Sequence, residues 1–133
     1  MSNSWMIRAG EHGRFAEKFA KGFVAIGWHE IGDLSKALTR DEIRAKYLAA
    51  DWESKKGKSA ASNDIAMIYK FRNLSIGDWV TTYNPEGREY LLGKISSDYI
   101  FNPEIIDPDY PHVRQVKWER RISRDALQQS SKN

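Results

Sequence analysis

The stretch "GDWVTTYNPEGREYLLGKI", Gly77 to Ile95, constrains the fold more than any other part of the chain. On an extended backbone Trp79, Thr81 and Tyr83 fall on one side, and Val80 and Thr82 on the other. "NPEG", Asn84 to Gly87, has turn chemistry, Pro followed by Gly. Asp78 to Ser96 therefore reads as a β-hairpin, with "REYLLGKISSDYIF" carrying the second strand on toward Phe101. A lone hairpin is marginal in water, so other elements have to cover one of its faces.

Those elements are legible on either side. "SWMIRAG" (Ser4 to Gly10) alternates, with Trp5, Ile7 and Ala9 on one face and Met6 and Arg8 on the other. "EHGRFAEKFAKG" predicts a short helix burying Phe15, Ala16 and Phe19 and stopped by Gly22. Phe23 to Trp28 reads as a strand. In "TRDEIRAKYLAADW", Thr39 with Glu42 three residues on makes a capping box, and Ile43, Tyr47 and Leu48 form the apolar stripe. "ESKKGKSAASN" (Glu53 to Asn63) reads as a loop, and "SNDIAMIYKFRNL" as a helix capped by Ser62 or Asn63, with Ile65, Ile68, Tyr69 and Arg72 sharing a face. "NPEIIDPDYPH" is too rich in proline for regular structure. "VRQVKWERRIS" is a last strand and "SRDAL" starts a helix. The order β, α, β, α, α, β, β, β, α implies an α+β fold, with a small, strongly bent sheet or open β-barrel flanked by helices. Residues 1–127 fit a single domain, and 128–133 form a polar tail with the composition of a linker.

The bulk numbers exclude several classes. With no cysteine there is neither a disulfide framework nor thiolate chemistry. His12, His29 and His112 stand far apart without metal-ligand spacing, so neither a metal nor another cofactor is expected. No apolar run approaches the roughly 18 residues of a membrane span, and "MSNSWMIRAGEHG" is too polar for a signal peptide. The expectation is a cytoplasmic domain with no membrane partner. There is no phosphate-cradling glycine loop and no zinc-peptidase pattern around His29-Glu30, so no catalytic residue is assigned. A net charge of +3 is compatible with a polyanionic partner.

"WMIRAG", "VAIGWHEIGDLS", "FRNLSIGDWVTTYNPEGREYLLGKI" and "YPHVRQVKWERRISRDAL" together resemble the amino-terminal domain of Mrr-like modification-dependent restriction proteins. That domain is similar to the EVE and YTH domains of the PUA-like superfamily, and the resemblance runs from about Trp5 to Leu127. It implies a pocket for a flipped, modified nucleobase: methylated adenine or cytosine in DNA or, in a YTH-like reader, in RNA. The setting it implies is an antiviral restriction system whose nuclease domain, fused or associated, lies elsewhere. Extruding a base costs a few kcal/mol. Stacking on an aromatic returns about 1–3 kcal/mol per base, and a methyl group adds only ~0.8 kcal/mol.

Trp28 is the first candidate for a wall of such an aromatic cage, being a large ring at the mouth of a strand. The alternative is a core tryptophan. Asp33 either reads an exocyclic amine or caps the next turn, and Ser35 stands beside it. The resemblance places further walls after the hairpin, where Tyr99, Phe101 and Tyr110 stand and where no tryptophan occurs. It also places a basic residue at Arg8. Asn63 either contacts the ligand or caps a helix. Two basic groups, Lys55, Lys56 and Lys58, and Lys117, Arg120, Arg121 and Arg124, suit a nucleic-acid backbone or simply a solvated face. Trp5, Trp79 and Trp118 are expected in the core. The rival reading is a regulatory or interaction domain whose aromatics only pack.

Overall fold

The computed structural model describes residues 4–51 and 55–126. The class is α+β with a strongly bent, open sheet. The strands run in the order β1 (Trp5–Met6), β3 (Trp79–Asn84), β4 (Glu89–Ile95), β6 (His112–Ser123) and β2 (Phe23–Ile26), while β5 (Ile100–Phe101) pairs with β6 off that path. The helices with described bounds are α1 (Ala16–Ala20), α2 (Arg40–Ala49) and α3 (Lys58–Arg72), with single 3₁₀ turns at Glu11–Gly13 and His29–Ile31, and residues 124–126 start a helix after β6 as expected. Two compact units interleave along the chain. One holds residues up to Ala25, Ser75–Asp98 and the chain from Arg114, and the other holds Ile26–Leu74 and Tyr99–Val113.

The first unit is built on the hairpin. β3 and β4 pair antiparallel from Trp79↔Lys94 to Asn84↔Glu89, and Val80 and Thr82 are buried as the alternation requires. β1 joins β3 in parallel, but only two residues pair. The alternation beyond them still holds, with Ile7 and Ala9 buried and Met6 and Arg8 exposed. The bend comes from a bulge. Leu92 faces Arg120 and Gly93 faces Trp118, so β6 carries Glu119 as an extra residue. A Cβ on Gly93 would stand 2.8 Å from the Trp118 Cα and closer still to the Lys117 carbonyl, so only glycine permits this approach. The expected helix after β1 is broken, because His12 and Gly13 both take positive φ, and α1 starts only at Ala16. Phe15, Ala16 and Phe19 are buried as expected. Trp5, Trp79 and Trp118 are half-buried, not enclosed. Trp118 donates its indole N–H to the Phe19 carbonyl at 2.7 Å. The strand expected to continue to Phe101 stops at Ile95, and Ser97 instead accepts two bonds from the buried Arg114 on its carbonyl.

The second unit packs helices. The capping box is complete: Thr39 Oγ1 accepts from the Glu42 amide, and Glu42 accepts from the Thr39 amide. Ile43 and Tyr47 are fully buried, but Leu48 is 42% exposed. Five residues beyond Ile43, it has rotated off the stripe. Tyr69 also lies outside the stripe of α3, which is Ala61, Ile65, Ile68 and Phe71. α3 begins earlier than expected, at Lys58 behind Gly57, so Lys58 to Asn63 are helical. Ser62 and Asn63 sit inside the helix and cap nothing. Burial of Ala61 and the helix preference of the two alanines override the polar look of the segment. Glu53 and Ser54 of the expected loop, Trp52 before it, and Leu127 with the 128–133 tail lie outside the described residues.

Candidate functional site

The strand β2 ends at Ile26, two residues before the expected end, and Trp28 lies beyond it in the left-handed region at φ 58, ψ 46. That conformation costs an L-residue roughly 1–2 kcal/mol and is an outlier for a bulky one. Buried Ile31 and Leu34 draw the following chain back into the unit, leaving the indole half-buried on the turn between. The Trp28 carbonyl accepts from the Ile31 amide at 3.2 Å and from His112 Nε2 at 3.0 Å.

A directed relay stands behind that second bond. The Leu34 amide has only a proton to offer, and it donates to the Tyr99 hydroxyl oxygen at 3.2 Å. The Tyr99 proton is then free for His112 Nδ1, 2.6 Å away, so Nε2 bears the imidazole proton and donates it to Trp28. The tautomer assigned from this network is neutral, which agrees with burial holding His112 below its ordinary value. Burial likewise raises the Tyr99 phenol. Arg72 closes the network. Its Nε donates to the Leu34 carbonyl at 2.8 Å, an Nη to the Ser35 carbonyl at 2.9 Å, and its guanidinium lies 5.1 Å from the Tyr99 ring centre. Both backbone polar groups of Leu34 are thereby fixed.

Of the expected site residues, the second unit brings several into this neighbourhood. Tyr99 and Phe101 flank His112, with ring centres 5.8 and 5.6 Å away. The Tyr99 hydroxyl is spent on the relay, so that residue supports Trp28 through His112. Tyr110 runs beside Gly27, where an added Cβ would stand 3.8 Å from its Cζ. Lys56 Nζ lies 6.0 Å from the Trp28 ring centre and pairs with Asp64 at 3.0 Å, while Asp64 also accepts from the Tyr47 hydroxyl. Asp33 Oδ1 accepts from the Ser35 amide at 2.8 Å and from its hydroxyl at 2.6 Å, a local turn. The Ser35 hydroxyl bond is the main cause that holds the exposed Asp33 carboxyl below its usual range. Asp33 and Ser35 line an open cavity of ≈ 280 Å³ with Lys36, Glu42 and Lys46, and Trp28 is not among its lining residues. Asn63, Lys55 and Lys58 are exposed on or just before α3.

The other candidates belong to the first unit. Arg8 lines a cavity of ≈ 180 Å³ with Met6, His12 and Tyr83. Lys117, Arg120 and Arg121 are exposed along β6, where Arg121 pairs with Glu89 at 2.7 Å. Arg124 bonds the Tyr83 hydroxyl at 3.3 Å.

The family model described as a domain of unknown function, DUF8426, matches residues 5–133. The chain belongs to the DUF8426 family. No curated protein and no solved structure matches it. In this DUF8426 chain no helix among the described residues is long and apolar enough to cross a membrane, and no three His, Asp or Glu residues among them are grouped to hold a metal.

Two residues of this neighbourhood, His112 and Arg72, hold roles that the sequence analysis does not assign to them. His112 and Arg114 precede Val116 at period two, so the alternation placed both on a buried face. Two polar groups on a core face carry the signal of a built network. Arg72 left no such signal, because its partners are backbone carbonyls 38 and 37 residues away.

Proposed function

We propose that the chain is a binding module that recognises a modified base, methylated adenine or cytosine, flipped from DNA, with Trp28 as the principal stacking surface. One observation carries the reading: a half-buried tryptophan holds a left-handed backbone where glycine is favoured, and a three-residue relay pins its carbonyl. Strained positions over-determined by their surroundings cluster at ligand sites. The resemblance to the reader domain of Mrr-like restriction proteins points the same way, and with it goes a role in antiviral defence beside a nuclease domain. In this reading Phe101 and Tyr110 complete the apolar surround, Tyr99 positions Trp28 through His112, and Asp33, whose Oδ1 is taken by Ser35, offers its other carboxylate oxygen to the edge of the base. Lys55, Lys56 and Lys58 hold the flanking phosphates, Lys56 keeping its cation beside the indole. The chain performs no chemistry of its own.

The test is titration with strands bearing N6-methyladenine, 5-methylcytosine or 5-hydroxymethylcytosine against unmodified strands, with matched RNA as a further arm. One modified strand should bind preferentially. Trp28→Ala should weaken that binding roughly 5- to 150-fold, the equivalent of about 1–3 kcal/mol of stacking. Equal binding of all strands, or an unchanged affinity in the variant, refutes the reading. A stronger preference for RNA assigns the module to methylated RNA.

A further inference from the structure

One cavity lined by residues of the first unit differs from the Trp28 network in composition and chemistry. Its walls combine Met6, Tyr83 and Pro85 with Arg8 and His12, in a volume of ≈ 180 Å³. At ~30 Å³ per water that is the space of about six waters. It takes in one flat ring and leaves the rest of a larger ligand at its open mouth, being smaller than the about 300–1,000 Å³ of a pocket that encloses a whole ligand.

Two of the lining residues are glycines in a backbone conformation that side chains rarely adopt. Gly10 and Gly13 both have positive φ, and a Cβ on Gly13 would meet Pro85 Cδ at 2.5 Å. Between them His12 holds φ 56 and is exposed. Arg8 and His12 are exposed, and neither makes a hydrogen bond or ion pair among the described residues. The Tyr83 ring, by contrast, is fixed. It packs on Tyr90 with centres 4.8 Å apart, and Arg124 bonds its hydroxyl. A rigid aromatic wall, an apolar thioether and two unengaged nitrogen donors at one mouth suit a ligand that is flat and apolar at one end and anionic at the other.

We propose that this cavity binds one nucleotide, its base against Tyr83 and Met6 and its phosphate on Arg8 and His12. The site stands whether or not the Trp28 reading holds. The acceptor chemistry is the same for a free nucleotide and for a nucleotide within a strand.

The test is calorimetric titration of the full chain with adenosine monophosphate, adenosine and inorganic phosphate. Adenosine monophosphate should bind saturably and more tightly than either fragment. Arg8→Gln, at an exposed position, should weaken it about tenfold or more through loss of a charge-assisted bond, with the melting temperature unchanged. Trp28→Ala should leave it unaltered. Displacement of the nucleotide by an unmodified single strand assigns the site to strand nucleotides. Lack of displacement assigns it to the free nucleotide, and either supports the proposal. No saturable binding, equal binding of inorganic phosphate, full affinity in Arg8→Gln, or loss of binding in Trp28→Ala would overturn it.

Discussion

Replacing Trp28 by alanine and by glycine separates the two roles this residue can have. Both substitutions remove the indole and differ by one methyl group, so their difference reports the backbone. At ordinary positions glycine is the less stable of the pair by roughly 0.5–1 kcal/mol, because it loses more freedom on folding. At φ 58 the order inverts, since the left-handed conformation costs alanine roughly 1–2 kcal/mol and glycine almost nothing. Trp28→Gly should therefore be the more stable variant by about 1 kcal/mol, or about 4 °C in melting temperature for a chain of this size. The comparison with wild type gives the side-chain role. A fully buried ring cut to a small residue costs about 3–5 kcal/mol. The indole is half-buried, and glycine recovers the backbone cost, so Trp28→Gly should lose less than about 2 kcal/mol. Urea titrations at neutral pH measure both differences. If Trp28→Ala is as stable as Trp28→Gly, the backbone argument is wrong. If Trp28→Gly loses 3 kcal/mol or more, the indole fills a core and the stacking role falls with it.

Two further outcomes follow from the same geometry. Because burial lowers the His112 pKa in the fold, both states are neutral above its ordinary value of about 6.5. Below that pH the unfolded chain takes up a proton first, so stability falls as pH drops from about 6.5 toward the folded value. His112→Gln should flatten urea midpoints across pH 5–7, and an equal slope in wild type and variant would refute the relay. Gly93→Ala should destabilise by about 1–3 kcal/mol through overpacking against the backbone of β6. A neutral result there would contradict the bulge register.

Local rules recovered what local rules govern. The existence of the hairpin, the capping box at Thr39 and Glu42 and the alternation from Met6 to Ala9 all depend on neighbours within a few residues, although the turn falls at residues 85–88, one beyond the expected Asn84 to Gly87. The start of α3 was hidden because "KGKSAASN" has loop composition, and burial of Ala61 against other elements decides its state. The break after Ile95 was hidden for a related reason: Ser97 is claimed by Arg114, 17 residues on. Trp28 shows both sides of this limit. Its size at the end of a strand was visible as an anomaly. Its left-handed backbone was not, because the bond that fixes it comes from His112, 84 residues away. A chain shaped only to make this turn would carry glycine at position 28, as it does at positions 27 and 32 on either side of it. An indole there gives up roughly 1–2 kcal/mol that glycine would keep, so what the ring touches must offset that loss, whether packing within the fold or a ligand outside it. Its partial exposure favours the ligand.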